Sequence, residues 1–295
     1  MKKIAKDQVI YAMSSENKPV LKAHSGDRIC FETRDCYGDE ITPQDPDRRP
    51  LQINPATGPV FVEEAQVGDT LKVTIEKITL QDQALVGSYP KSGMMADWIE
   101  RRMIHFLPVQ ENQLEFQKDL VVKTAPMIGV IGVAPESESV ECRKPGVHGG
   151  NMDCRKIREG SVVYLPVFHP GALLALGDVH AAMGDGEVMG SGAEIAANVT
   201  VQIEVIKETC GEPWVVDRDR VYVITSAETM EEALKQGCYK MNQRLQKQLG
   251  LSPEMAGMLM SLEGNSEICQ VVNPFVTLRI GMPLVRFLSK EGKRS

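Results

Sequence analysis

The sequence predicts a mainly β protein, with a β-sandwich of jelly-roll type as its core and a helical, α+β portion appended at the C-terminus. Three observations predict this fold class. Apolar and polar residues alternate in several short segments, which is typical of strands with one buried face. Glycine turns precede several of these segments, and clear helical periodicity appears only near the C-terminus. This arrangement favours a sandwich or barrel over a βαβ array.

The strands follow one another in a regular way along the first two thirds of the chain. A glycine turn and a polar residue lead into a strand after Ser25-Gly26-Asp27, after Val67-Gly68-Asp69 and after Glu159-Gly160-Ser161. Period-two alternation predicts strands over residues 71–76, 199–205 and 276–280. Short apolar runs at residues 127–133 and 162–168 predict buried strands, and the proline-dense segment from Thr42 to Pro59 predicts a long loop.

Two helices are predicted in the C-terminal part. The first begins at Ser226 to Glu231, and Gly250 can end it. The second opens at Ser252-Pro253-Glu254 and stops at Gly264. We therefore expect a β-rich core over residues 1–210 that carries the functional site. A C-terminal α+β portion over residues 211–295, with two helices and a closing strand, is expected to pack with it as one unit.

Composition and charge exclude several function classes. The 295 residues include 33 Lys and Arg against 40 Asp and Glu, a formal net charge of −7. This excess of negative charge argues against binding to nucleic acid or to an anionic membrane. No apolar run approaches the roughly 20 residues of a membrane helix. The first 15 residues lack the apolar stretch of a secretory signal and contain Asp7, so a cytoplasmic protein is expected.

The cysteines point in the same direction. There are seven, an odd number, and no two stand at C-x-x-C spacing. A thiolate zinc site and a disulfide framework are therefore poorly supported, and reduced thiols in a cytoplasm are the simplest interpretation. Cys142 and Cys154 flank His148, but nothing in the sequence singles out one thiol as a nucleophile. A serine triad lacks the G-x-S-x-G elbow.

Potential metal ligands are concentrated between residues 178 and 194. Asp178 and His180 stand at i and i+2, so they project from the same face of an extended segment. Asp185 and Glu187 repeat this spacing, and Glu194 follows after two glycines. Carboxylate and imidazole together are typical zinc ligands. A polar, solvated loop with one incidental histidine is the alternative, and the residues alone leave the two about equally supported.

Two further segments carry candidate site residues. The segment Gly146–Asp153 places His148, Asn151 and Asp153 among three glycines, where the chain can approach a ligand closely. Near the N-terminus, Asp35 follows a predicted strand. It is either a further ligand or the salt-bridge partner of Arg34.

Four motifs together resemble the acetamidase/formamidase family. They are Phe31–Gly38, Gly146–Asp153, Gly177–Glu187 and Cys269–Pro274, and they span most of the chain in the order of the family. The resemblance implies a metal-containing hydrolase that converts short aliphatic amides, such as formamide and acetamide, to ammonia and a carboxylate. It also implies a mostly β architecture with appended helices.

The resemblance and the chemistry of amide hydrolysis suggest roles for these residues. A divalent metal, zinc in the first place, activates water and polarises the carbonyl, and a carboxylate transfers the proton. We expect Asp35, Asp178, His180 and Glu194 as metal ligands and Glu187 as general base, with Asp185 as its substitute. His148, Asp153 and Asn151 are expected to bind metal or orient substrate, and calcium is a candidate second ion.

Partners follow from the same reasoning. We expect a small amide as substrate, no nucleic acid and no membrane as partner, and assembly into a homo-oligomer, specifically a dimer. The alternative function is a metal-stabilised β-sandwich that binds a ligand without turnover.

Overall fold

The structure, a computed structural model, describes residues 1–288. Within them the strands of the N-terminal half are β1 (Lys2–Ile4), β2 (Val9–Ile10), β3 (Ala12–Met13), β4 (Leu21–Ala23), β5 (Arg28–Thr33), β6 (Ala56–Val62), β7 (Thr70–Leu80), β8 (Gln83–Ser88), β9 (Met103–Gln110), β10 (Gln113–Gln117), β11 (Leu120–Lys123), β12 (Met127–Gly132) and β13 (Val140–Glu141). The strands that follow are β14 (Gly149–Asn151), β15 (Val162–Pro166), β16 (Ala172–His180), β17 (Glu194–Ile195), β18 (Ala197–Ile206), β19 (Trp214–Asp217), β20 (Arg220–Ala227), β21 (Asn265–Gln270) and β22 (Val276–Pro283). The helices are α1 (Met230–Leu249) and α2 (Pro253–Glu263), with 3-10 turns at Ala96–Trp98 and Leu284–Arg286.

Most strands belong to two large sheets. The first has nine strands in the order β1-β5-β18-β7-β15-β19-β20-β22-β21. The second has eleven strands, with β11-β10-β9-β8-β17-β16-β12-β14 along its main path. Strand β6 pairs with β16, and β2 and β4 pair with β6. Strands β3 and β13 form a separate two-stranded pair. The predicted mainly β fold with two C-terminal helices is confirmed.

The inward faces of the two sheets share one apolar core. Phe31 and Val199 from the first sheet and Ile128 and Leu174 from the second belong to the same buried cluster. Strand β18 shows the reason, because its side chains alternate between buried and partly exposed along almost its full length. The predicted period-two strands at residues 71–76, 199–205 and 276–280 are confirmed as parts of β7, β18 and β22.

Helix α1 begins later than the Ser226 start that the sequence suggests, because Ser226 and Ala227 still belong to β20, whereas α2 and the ends of both helices agree with the prediction. The Thr229 side chain accepts a hydrogen bond from the backbone N–H of Glu232 and caps α1, and Gly250 ends the helix in a left-handed conformation. Ser252 caps α2 in the same way, with Pro253 in the first turn. Helix α1 packs against β20 and β22 through Met241 and Leu245, so the helices cover one end of the first sheet.

The proline-dense segment differs from its prediction at one end. The loop stops at Pro55, and Gly58 and Pro59 lie within β6. The pairing of β6 with β16 shifts register there, between the Val60–Leu174 and Thr57–Leu176 pairs. A strand accommodates a proline at such an irregularity because no ladder hydrogen bond is required of it. No helix within residues 1–288 is long and apolar enough to span a membrane.

Candidate active site

A buried group of four carboxylates and one imidazole lies at one end of the second sheet. Asp178 and His180 lie at the end of β16, and because they are two positions apart their side chains point to the same face. Glu194 on the neighbouring β17 pairs directly with His180. Asp153 follows β14, and Glu187 lies in the loop between β16 and β17. All five residues are buried; we refer to them as the carboxylate–histidine cluster.

The imidazole of His180 faces three of the carboxylates. Its Nε2 atom lies 3.1 Å from Glu194 Oε2, 3.5 Å from Asp178 Oδ1 and 4.0 Å from Asp153 Oδ1. The three oxygens have no hydrogen-bond partner among residues 1–288, although their atoms are inaccessible to solvent. Buried oxygens without donors are rare in proteins, so these three are candidate ligands for a cation.

The opposite oxygens of the same carboxylates are held by donors from distant parts of the chain. The Asn54 side-chain amide donates to Asp178 Oδ2 at 2.8 Å, and the Asn273 amide donates to Asp153 Oδ2 at 2.7 Å. The backbone N–H of Gly192 donates to Glu194 Oε1 at 2.8 Å. These donors fix the rotation of each carboxylate so that its free oxygen points inward.

The charges of the cluster do not balance. Its four carboxyl groups have His180 as their only cationic partner, because no lysine or arginine of the described residues forms an ion pair with any of them. A buried anion without a counter-charge is strongly unfavourable. The arrangement therefore requires either proton uptake or a bound cation.

The pKa values respond to this imbalance. Burial and the neighbouring Asp178 raise the pKa of Asp153 to about 7, and burial and Asp153 raise the pKa of Glu187 well above its usual range. Burial alone would lower the pKa of His180, but Glu194 and Asp178 raise it. The five groups therefore interact strongly enough to titrate as a unit.

The local backbone is shaped to bring these groups together. Asp153, Asp178 and Glu187 have positive φ angles of 43°, 53° and 48°. Non-glycine residues rarely adopt this left-handed region, and such strain is concentrated at functional sites. Gly129 on β12 makes the room, because a Cβ atom there would lie 2.5 Å from Asp153 Oδ1 and 2.7 Å from Asp178 Oδ2.

The donor set fits a divalent metal ion. Ligand atoms around a tetrahedral zinc, each 2.0–2.1 Å from it, lie about 3.3 Å apart. The separations of 3.1–4.0 Å around His180 Nε2 are close to this spacing. Two separate sets have ligand atoms within 4.8 Å of one another, namely Asp153 with His180 and Glu187, and Cys36 with Asp178 and Glu194.

Asp35 lies near the cluster but is used differently. Its Oδ1 accepts hydrogen bonds from the backbone N–H groups of Tyr37 and Asp39, so the carboxylate organises the turn that follows β5. Burial, with a contribution from the charge of Glu194, raises the pKa of Asp35 to about 7. The next residue, Cys36, is the one whose side chain reaches Asp178 and Glu194.

Asp185 differs from Glu187 because it forms an ion pair with an arginine. Its two oxygens accept hydrogen bonds from Arg279 Nη1 and Nη2 at 3.0 and 2.7 Å, and Arg155 lies 3.8 Å away. The side chain of Arg279 is buried and also binds Glu267. Asp185 therefore neutralises a buried arginine, whereas Glu187 forms no ion pair with a lysine or arginine among the described residues.

The remaining sequence candidates lie at the two ends of β14, with His148 just before the strand and Asn151 as its last residue. His148 is buried, its Nε2 has no hydrogen-bond partner among the described residues, and burial lowers its pKa to about 4. Asn151 accepts a hydrogen bond on its backbone oxygen from Asn273, and its side-chain Oδ1 is unpartnered in the described chain. Neither belongs to the two metal-sized sets.

Sequence reasoning did not identify Cys36, Asn54, Gly129 or Asn273 individually. Cys36 and Asn273 stand inside two motifs that the sequence does single out, Phe31–Gly38 and Cys269–Pro274. Asn54 and Gly129 carry no local signal, because their roles arise from contacts with residues far away in sequence.

Comparison with known proteins identifies the family. A model described as the acetamidase/formamidase family matches residues 13–145 and 85–287. The chain is 28% identical over 128 residues to a formamidase of Methylophilus methylotrophus and 29% identical over 135 residues to an acetamidase of Mycolicibacterium smegmatis. Each match covers 42% of this chain and 31% of the relative, so the chain spans about a third of the length of these curated relatives.

Solved structures match over nearly the whole chain. An acetamidase of Bacillus halodurans shares 38% identity with a TM-score of 0.94, over 97% of this chain and 98% of that one. A predicted acetamidase/formamidase of Thermoanaerobacter tengcongensis shares 40% identity with a TM-score of 0.95, over 97% of each chain. A gamma lactamase of Delftia acidovorans, at 19% identity and a TM-score of 0.67, shares the fold. By the family model and these whole-chain matches, the chain belongs to the acetamidase/formamidase family.

Proposed function

We propose that this protein is a metal-dependent amidohydrolase that converts short aliphatic amides, such as formamide and acetamide, to ammonia and a carboxylate. Family membership supports the reaction. The observation that carries the metal dependence is the buried excess of carboxylates around His180, with inward oxygens that have no partner among the described residues. A metal ion explains both the charge and the unpartnered oxygens.

The proposed ligands are Asp153, Asp178, His180 and Glu194. Asp153 takes the place that the sequence suggests for Asp35, because the Asp35 carboxylate already accepts two backbone hydrogen bonds. One imidazole with carboxylates suits zinc, and a carboxylate-rich remainder suits a harder second ion such as calcium. A divalent cation held there would polarise the amide carbonyl and lower the pKa of water to about 7.

Glu187 is the proposed general base. It borders both the cluster and a cavity that opens to the surface, so its carboxylate can reach a substrate. The carboxylate accepts a proton from the attacking water while the water oxygen bonds to the carbonyl carbon. It then returns the proton to the nitrogen as the C–N bond breaks, which releases ammonia and leaves the carboxylic acid.

A cysteine nucleophile is not favoured within the carboxylate–histidine cluster. Cys36, the thiol of the cluster, is buried, and burial with the charge of Glu194 raises its pKa well above the ordinary value. A thiol nucleophile needs the opposite shift. All seven cysteines are free, which supports the proposed cytoplasmic location. The homodimer expected from the sequence remains a prediction.

The test measures ammonia released from formamide, acetamide and propionamide by the purified protein, with and without a chelator, together with its metal content. We expect release that the chelator abolishes and that added zinc restores. Metal content without ammonia release would favour the alternative, a metal-stabilised binding module. Release that persists after the metal has been removed would contradict the proposed role of the cluster.

A further inference from the structure

A cavity of about 470 Å³ opens beside Glu187. Its walls come from the hairpins β9–β10–β11 and from the loop that carries Glu187. The apolar side chains that line it include Leu107, Leu114, Phe116, Val122, Met183 and Val188. The cavity therefore combines one proposed catalytic carboxylate with a predominantly apolar wall.

The size of the cavity exceeds what a short amide needs. Pockets of about 300–1,000 Å³ hold drug-sized ligands, whereas formamide and acetamide have only a few non-hydrogen atoms. An acetamide placed at Glu187 would leave most of the apolar wall in contact with water. Phe116 and Val122 are each 41% exposed, so the wall has apolar area available to a ligand.

The charges around the cavity define the chemistry of the ligand. Besides Glu187, the charged residues in its lining are Lys123, Arg155 and Asp185. Asp185 is neutralised by Arg279 and lies 3.8 Å from Arg155, and Lys123 is exposed at the end of β11. The wall formed by β9, β10 and β11 has no charge other than Lys123 in its lining. An uncharged, apolar group fits this wall better than a charged one.

We infer that the preferred substrates are primary amides with an extended apolar acyl group, which occupies this cavity while the amide group lies at Glu187. This inference rests on the proposed function and specifies its substrate class. Each methylene of the acyl chain that is removed from water should raise kcat/KM by roughly fourfold, until the chain has filled the cavity. Formamide and acetamide would then have lower kcat/KM values than amides with longer acyl groups.

The experiment measures kcat/KM by ammonia release for formamide, acetamide, butyramide, hexanamide and octanamide. We expect kcat/KM to rise from acetamide to hexanamide by at least about tenfold, since four further methylenes become available for burial. A constant or falling kcat/KM from acetamide to hexanamide in an active enzyme would overturn the inference and leave the proposed function intact.

Two neighbouring valines on β11 provide a matched pair of variants. Val122 lines the cavity, whereas Val121 is absent from its lining, as expected for successive residues of a strand. Val122→Asn should lower the ratio of hexanamide to acetamide kcat/KM by about fivefold or more, because an amide group would meet the acyl chain. Val121→Asn should leave this ratio unchanged. Equal effects of the two variants would contradict the placement of the acyl group.

A binding measurement separates the inference from the proposed reaction. Hexanamide titrated by calorimetry into Glu187→Gln should bind with a negative heat-capacity change, and acetamide should bind much more weakly. Such binding without ammonia release from any amide by the unmodified protein would refute the proposed function but retain the ligand class. Absence of hexanamide binding would refute the ligand class.

Discussion

At the scale of single residues, the carboxylate–histidine cluster contains an unfavourable excess of negative charge that a bound metal would relieve. Asp178 illustrates this, because one of its oxygens accepts from Asn54 and the other has no donor among residues 1–288. Its backbone has a positive φ of 53°, which asparagine tolerates as well as aspartate. Asp178→Asn therefore removes a charge without an additional backbone cost.

We predict that Asp178→Asn changes the free energy of unfolding in opposite directions with and without metal. In chelated protein it should raise the free energy of unfolding by about 1–3 kcal/mol, because the buried excess of negative charge around His180 becomes smaller. In metal-loaded protein it should weaken zinc binding and lower stability. Urea denaturation with and without chelator measures both effects. Destabilisation of the chelated protein would show that the charge is already compensated without a metal.

Glu187 and Asp185 have the same spacing in sequence but different partners, and substitution should separate them. Glu187→Gln should reduce kcat at least about 100-fold with little change in metal content, since a general base contributes that much. Asp185→Asn should keep most of the turnover but lower the free energy of unfolding by about 1–3 kcal/mol, because the buried Arg279 loses a charged partner.

Steady-state kinetics and urea denaturation of both variants test this pair. A large loss of kcat in Asp185→Asn, with Glu187→Gln almost unaffected, would exchange the two roles. Equal loss of stability in both variants would indicate that neither residue acts in the reaction itself.

At the scale of secondary structure elements, the site depends on how closely β12, β14 and β16 approach one another. Gly129 lies on β12, which pairs with the segment of β16 that contains Asp178. Because Gly129 has no side chain, the carboxylate oxygens of Asp153 and Asp178 can lie close to its backbone. Its φ is not in the left-handed region, so the requirement for glycine is steric alone.

We predict that Gly129→Ala disrupts the cluster. A methyl group would overlap with two carboxylate oxygens, so zinc content and turnover should fall together and stability should drop by about 1–3 kcal/mol. Gly257→Ala is the matched control, because α2 has space there and alanine suits a helix interior. It should retain activity and gain about 0.5–1 kcal/mol. Full metal content in Gly129→Ala would show that the strands can move apart without loss of the site.

The elements were largely predictable from the sequence, and the site only in part. Strands such as β18 have one buried face, and helices α1 and α2 have caps at their ends, so their signals are local. Asp178, His180 and Glu194 are also close in sequence, and strand pairing brings them together. The sequence favours Glu187 over Asp185 as general base, but it does not reveal the ion pair that distinguishes them, because Arg279 is 94 positions away from Asp185.

The same reasoning explains the other differences. Asn54 contacts Asp178 across 124 positions, and Asn273 contacts Asp153 across 120. No pattern in a single sequence encodes such a contact. In the turn after β5, Asp35 and Cys36 are adjacent in sequence, so either side chain could face the cluster. Backbone hydrogen bonds to the Asp35 carboxylate hold it within the turn, and Cys36 faces the cluster instead.

At the scale of the whole molecule, the C-terminal portion contributes directly to the site. Strands β19 to β22 extend the nine-stranded sheet of the β-rich core. Asn273 holds Asp153, and the backbone N–H of Gly186 donates to Cys269 at 2.8 Å, so the loop with Glu187 is attached to β21. These contacts support the expectation that residues 1–210 and the C-terminal portion unfold together.

We therefore predict one cooperative thermal transition, which metal removal shifts as a whole. A metal that binds only the folded state at 100 times its dissociation constant adds about 2.7 kcal/mol. For a protein of this size that corresponds to a fall in Tm of about 4–5 °C after chelation. Because Asn273 of the C-terminal portion holds Asp153 of the cluster, no part of the molecule should retain its original Tm. Differential scanning calorimetry with and without chelator measures this, and Asp178→Asn, which should bind metal poorly, should show a much smaller shift. Two transitions, of which only one responds to the chelator, would show that the portions fold independently and that the contacts of Asn273 and Gly186 do not couple them.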